Sequence, residues 1–403
     1  MAPIEWTLPA DLLLEIVARS DIRTFVCCAA SCKLLRRDIL SPSFIRRVTQ
    51  RGGIVPSCIL AYLDIHDAGD PRPPVSLVHP ATRAAKSFIR NSLAPFMSRS
   101  ANYDFLREYY PVTSRGGLVL LCHCHPCGGP SDMCVYDPIT GQRTFLPTPP
   151  ITPDSHGCIG RCVLLTAADD IDCYFLLFAG ELSSNGHAIK IRTFTSSTST
   201  WGPVVTHDGF FPQKWPERHP KAIVLPGGII HWLLDGGGKI ITYDVRTAEP
   251  GQLEVHVPAF VTNFERGPPY LGSYSSPVGC RSKLLRLFCA HGFTISMWHQ
   301  LRDGGGWALE TVIDVWEKVR SLDPDIPAER HLETTFMHPS ERSTIVVLQI
   351  SLREHDVMNY FHPRLVVLDL ETKKIRVMRR WALFFNLFEI DMPSQLRAMK
   401  IFL

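Results

Sequence analysis

Two hydropathy patterns divide the chain. Through residue 50 the apolar residues recur at helical spacing, and no glycine occurs before Gly52. Leu12, Leu13, Ile16 and Val17 fall at i, i+1, i+4 and i+5, one face of a helix. Pro9 opens that helix in a first turn, where its missing N–H costs nothing. Asp21 is placed to cap a second helix carrying Ile22, Phe25, Val26, Cys28 and Ala29. Ser31 begins a third through Leu34, Leu35 and Ile39, Pro42 ends it, and Phe44, Ile45 and Val48 make a short fourth. Fifty residues bury only a small core. The apolar residues left over fit either a partner interface or a helical cap on the rest of the chain.

From Ile54 onward the period changes to that of strands. Short β-branched and aromatic runs alternate with turn clusters, and little reads as helix. Three segments repeat an apolar strand, an Asp and a Thr three residues later: Val135 to Gly141, Ile241 to Thr247, and Val366 to Lys373. Each predicts a strand, a tight turn in which Asp bonds the turn backbone, and a returning strand. Two variants end in tryptophan, Ile189 to Trp201 and Ile295 to Trp307. Strands preceding the motifs also recur, as in Gly116-Gly117-Leu118-Val119 before Val135 and Gly227-Gly228-Ile229-Ile230 before Ile241.

Five such units fit between residues 115 and 380, most of them about fifty residues long, the period of one four-stranded propeller blade. A sixth blade is expected from Ile54 to Leu63, Val75 to Val78 and the C-terminal strands, which closes the ring. The competing architecture is a pair of β-sandwiches. Ala81 to Pro111 fits least well and reads as an insertion, a broad loop or short helix around Lys86, Phe88, Ile89, Leu93 and Phe96. The fold class is therefore α+β multidomain. A small helical domain over 1–50 precedes an all-β propeller of about six blades over 51–403.

Composition narrows the function. With 42 basic and 39 acidic residues the net charge is only +3, so no nucleic-acid or membrane-surface partner is expected. The N-terminus lacks a basic region followed by an apolar stretch, so no secretory signal is expected. Thirteen cysteines, several in apolar segments, fit reduced thiols and a cytoplasmic or nuclear location.

The N-terminal string Leu8-Pro9-Ala10-Asp11-Leu12-Leu13-Leu14-Glu15-Ile16-Val17 resembles the opening of an F-box. The resemblance continues through Asp21-Ile22, Cys28 to Lys33, Arg36-Arg37, Ile39 and Pro42-Ser43-Phe44. It covers about residues 6 to 48. One departure is Leu35, near a position where the family often carries an aromatic. The F-box with the repeated array is similar to plant-type F-box proteins with a propeller-like F-box-associated domain.

That resemblance implies a substrate-recognition subunit of a Skp-cullin-F-box ubiquitin ligase. Leu8, Pro9, Leu12, Leu13 and Ile16, with Ile22 beside them, would face a Skp-type adaptor and through it a cullin. The propeller would bind an unidentified target protein. Each adaptor-facing residue has core packing within the module as its alternative.

No catalytic residues, metal ligands or cofactor are assigned. Cys122-His123-Cys124-His125-Pro126-Cys127, with Cys134, supplies one C-x-x-C but no second ligand pair at zinc spacing. Gly236-Gly237-Gly238-Lys239 lacks the first glycine and the Ser or Thr of a phosphate-binding loop, and reads as a hairpin turn. Asp169-Asp170 and Asp323 with Asp325 read as solvated loop acids. Lys373, Lys374, Arg376, Arg379 and Arg380 form a basic cluster, either a solvated strand edge or an attraction for an acidic partner. Trp215, Tyr270, Tyr274, Tyr360 and Phe361 are read as loop aromatics available for target binding. The alternatives are a metal-stabilised interaction module, an F-box protein acting outside ubiquitination, and a propeller enzyme.

Overall fold

The computed structural model describes residues 8–20, 22–41, 43–44, 58–64, 75–79, 90, 105–106, 108–123, 132–138, 141–147, 162–166, 169, 171, 173, 175–182, 188–208, 222–225, 227–233, 239–255, 270–274, 284–301, 306–327, 332–339, 344–352, 363–378 and 385–391. Three helices lead: α1 (Ala10–Arg19), α2 (Ile22–Ser31) and α3 (Lys33–Ile39). They pack on one another, with Val17, Phe25, Ala29, Ile39 and Phe44 buried and the Phe25 and Phe44 rings stacked 6.1 Å apart. Pro9 stands at the N-cap of α1. Ser31 closes α2, and the cap of α3 is Cys32, whose sulfur accepts the Leu35 N–H. The expected start of α3 at Ser31 is thereby corrected. Asp21 and Pro42 lie outside the described residues.

The rest is an all-β propeller of antiparallel sheets. Blade 1 is β3 (Tyr109–Arg115), β4 (Leu118–His123), β5 (Met133–Tyr136) and β6 (Arg143–Leu146). Blade 2 holds β7 (Cys162–Thr166), β8 (Phe175–Leu182) and β9 (Ala188–Thr195). Its outer strand is split into β10 (Thr200–Trp201) and β11 (Val205–Asp208), both paired with β9. Blade 3 is β12 (Ile223–Leu225), β13 (Ile229–Leu233), β14 (Lys239–Asp244) and β15 (Glu249–Glu254). Blade 4 is β16 (Tyr270–Tyr274), β17 (Leu284–His291), β18 (Thr294–Gln300) and β19 (Trp307–Asp314). Helix α4 (Trp316–Leu322) then leads to blade 5: β20 (Leu332–Pro339), β21 (Ile345–Leu352), β22 (Arg364–Asp369) and β23 (Ile375–Met378).

A further sheet joins the two ends of the chain. β1 (Cys58–Asp64) lies between β2 (Val75–His79) and β24 (Phe385–Asp391), and β24 runs beside β3 of blade 1. About six blades were expected. The propeller has five full ones, because the terminal sheet draws only three strands from the described residues.

The period of two explains why the blades stack. In β8, Phe175, Leu177 and Ala179 face the core shared with blade 1, while Phe178 faces the core shared with blade 3. In β21, Val346, Leu348 and Ile350 join the core shared with blade 4, and Ile345 and Val347 take the opposite face. Both faces of a blade are buried, so its strands read as near-continuous apolar runs.

The repeated motifs occupy equivalent turns. Gly116-Gly117 and Gly227-Gly228 turn between the first and second strands of blades 1 and 3, all four with positive φ. The Asp motifs turn between third and fourth strands. Asp244 Oδ1 accepts the N–H groups of Arg246 and Thr247, and Asp369 Oδ1 those of Glu371 and Thr372. The residue four after Asp takes a left-handed conformation in all three: Gly141 (φ 75), Ala248 (φ 57) and Lys373 (φ 52). The tryptophan variants are also equivalent. Trp201 Nε1 donates to Pro147 O of blade 1, and Trp307 Nε1 to Glu254 O of blade 3. Each indole ties its blade to the one before it.

Candidate functional site: the open face of the N-terminal helices

Helix α1 is apolar on most of its circumference, so its sequence leaves open which side faces inward. Packing against α2 and α3 settles that. Val17 is buried and Leu13 half-buried. Leu12 and Ile16, one turn apart on α1, face outward at 52% and 55% exposure, and Leu8, just before the Pro9 cap, is 53% exposed. Pro9 is exposed beside them. The expectation that Leu12, Leu13, Ile16 and Val17 share one face is corrected: the set at i, i+1, i+4 and i+5 covers a broad arc of the helix, and packing divides it between interior (Val17) and solvent (Leu12, Ile16). Ile22 opens α2. Leu34 on α3, absent from the sequence reading of this surface, is also an exposed leucine, at 58%. Arg19 and Glu15 pair across one turn of α1 and polarise its flank.

The other candidates separate into parts of the fold. Cys122 faces the core between blades 1 and 2, while Cys134, opposite Leu121, points to the other side of the sheet. Burial pushes the Cys134 thiol up to about 12, which keeps it protonated at neutral pH. Cys124, His125 and Cys127 lie outside the described residues, and no group of three metal-binding side chains occurs among those described. Tyr270 and Tyr274 are strand residues at the two ends of β16, and Tyr270 packs on the core of blades 4 and 5. Their reading as loop aromatics is corrected. Trp215, Tyr360 and Phe361 lie outside the described residues, as do Lys86, Phe88, Ile89, Leu93 and Phe96.

Two acids read as solvated are buried. Asp169 receives Arg115 Nε at 2.8 Å and Nη2 at 2.6 Å, and also caps the Thr166 N–H. Arg115 Nη2 further donates to Val224 O, so one guanidinium joins blades 1, 2 and 3. Asp323, fully buried after α4, receives Arg364 Nε at 2.9 Å. Both acids tie the fold together.

Residues 79–402 match the family described as Domain of unknown function (DUF7595). The chain belongs to the DUF7595 family. The DUF7595 match takes in all five full blades and β24, and begins after the three N-terminal helices. No functionally curated protein matches the chain. Among solved structures it is similar to a protein from Lactobacillus plantarum, at 10% identity over 81% of this chain and 82% of that one, with a TM-score of 0.37. A member of the DUF4221 family from Bacteroides vulgatus matches at 10% identity over 68% and 83%, TM-score 0.38. A catalytically inactive virginiamycin B lyase from Staphylococcus aureus matches at 12% identity over 68% and 71%, TM-score 0.32. Likenesses this distant carry nothing about what the DUF7595 chain binds or does. Among the described residues, no helix is long and apolar enough to cross a membrane.

Proposed function

We propose that this DUF7595 protein is a non-enzymatic substrate receptor. Its N-terminal helices dock a Skp-type adaptor, and its propeller holds a target for ubiquitination by the attached cullin ligase. The observation that carries this reading is the exposure of Leu12 and Ile16 on one side of α1, with Leu8 exposed just before its cap, in a segment whose sequence resembles an F-box. Three exposed aliphatic side chains within one short segment of a small helical module are what an apolar partner surface covers. The mechanism is tethering. Holding the target beside a ubiquitin-charged enzyme raises its effective concentration, and the bond-making chemistry belongs to that enzyme. Such a protein works in the cytoplasm or nucleus.

Affinity purification of the full chain, and of a Leu12→Asp, Ile16→Asp variant, tests the proposal. Adaptor and cullin should be recovered with the native chain and lost with the variant, while target proteins are recovered with both. Recovery of no ligase subunit with the native chain would refute it.

A further inference from the structure

We propose that the outer edge of blade 5, with α4 beside it, is a binding surface for an acidic polypeptide segment in extended conformation. The whole chain is nearly balanced in charge, at 42 basic and 39 acidic residues, yet it concentrates cations here. Helix α4 packs against β23, and the Lys318 ammonium donates to the carbonyl of Lys373 at 3.3 Å. That contact brings Lys318 of α4 to the tip of the β22–β23 hairpin beside Lys373, while Lys374 and Arg376, which alternate with the core-facing Ile375 and Val377, project from the other side of β23. These four cations and Arg320 of α4 are exposed, and none has a carboxylate partner among the described residues. Arg320 instead lies over the Trp316 ring, 5.9 Å from its centroid.

The nearby acids do not neutralise the patch. Asp369 is committed to its own turn, receiving Thr344 Oγ1 at 2.8 Å and Thr372 Oγ1 at 2.7 Å. Asp314 caps the start of α4 through the Trp316 N–H. Glu317 and Glu371 remain as exposed carboxylates, against two cations on α4 and three on the hairpin.

The backbone selects the class of ligand. Among the described residues β23 is the last strand of its sheet, so its outward N–H and C=O groups face away from β22. Only a polypeptide can extend a sheet there. Lys374 and Arg376 are two residues apart, which in extended chain places them on one side, roughly 7 Å apart. Alternate side chains of an added strand repeat at the same spacing. A peptide with an acid at every second position therefore matches both the backbone and the charges. The surface extends the receptor reading by naming a ligand class for the propeller. Its test uses purified full chain without adaptor, so the two results are read separately.

The probe is a fluorescein-labelled 12-residue peptide alternating glutamate and threonine, followed by fluorescence anisotropy at moderate salt. Saturable binding by the native chain is expected. It should weaken at least tenfold in a Lys374→Glu, Arg376→Glu variant and severalfold in Lys318→Glu, with Lys190→Glu on blade 2 unchanged. Circular dichroism confirms that each variant is folded, and Lys318→Glu stands alone if the hairpin variant is not. The inference is overturned if the native chain does not bind the peptide or if the blade 5 variants bind as tightly as Lys190→Glu. Tighter binding to a single-stranded oligonucleotide of equal charge, or to phosphatidylserine vesicles, also overturns it.

Discussion

Removing the Asp169 carboxylate should destabilise the propeller far more than an average substitution. The Arg115 and Asp169 side chains are 11% and 8% exposed and meet in a two-bonded fork between blades 1 and 2. Asp169→Ala leaves that guanidinium without its carboxylate in a site water barely reaches, and removes the acceptor of the Thr166 N–H. Breaking a buried pair from one side costs about 3–5 kcal/mol, mostly as the uncompensated charge. Replacing both partners, Arg115→Met with Asp169→Leu, removes the charge as well and should recover most of that loss. Urea unfolding measures both, provided the m-value is unchanged. A pair this buried is weakly screened, so the loss should persist in high salt. A loss below about 1 kcal/mol for Asp169→Ala would refute the reasoning. So would a double variant as unstable as the single one.

Other predictions concern His231, Gly272 and Ala248. Burial holds the His231 imidazole down to about 4 from 6.5, against the raising effect of its contact with the Ile229 carbonyl. The folded pKa lies below the unfolded one, so this contribution is full above about pH 6.5 and is lost as pH falls toward 4. The loss reaches about 3 kcal/mol at 1.36 kcal/mol per unit, and His231→Gln should flatten that part of the stability profile. A Cβ at Gly272 on β16 would overlap the buried Phe288 ring. Gly272→Ala should therefore cost about 1–3 kcal/mol in the core of blades 4 and 5, read by thermal unfolding. Ala248 holds the left-handed turn position that blade 1 fills with Gly141. Ala248→Gly should raise stability by about 0.5–1 kcal/mol in urea titration, since glycine adopts that conformation without penalty.

The parts of the fold that local chemistry dictates could be read from the residues. The side chains of Asp244 and Asp369 bond the turn backbone, and the same Asp-to-Thr spacing, with a residue of positive φ four positions after the Asp, marked the same turn at Asp137, Asp244 and Asp369 in three blades. Gly116-Gly117 marked another, helped by the close approach of Thr166, which leaves no space for a Cβ at Gly116. What depends on distant partners could not be read. Asp169 and Arg115 are 54 residues apart, Asp323 and Arg364 41 apart, and nothing local distinguishes these acids from solvated ones. The exposed side of α1 was only half legible. Apolar residues on both sides of the helix show that it has a core-facing side but not which leucines are left out, and Leu34 becomes visible only once α3 is packed.

The most direct measurement is calorimetric titration of the full chain with a purified Skp-type adaptor, using native protein and a Leu8→Ala, Leu12→Ala, Ile16→Ala variant. These side chains are about half exposed, so covering them contributes about 1 kcal/mol each. The triple change should weaken binding by about a hundredfold, with unfolding stability nearly unchanged because these side chains are outside the core. Absence of adaptor binding by the native chain, or equal affinity in the variant, would contradict the account.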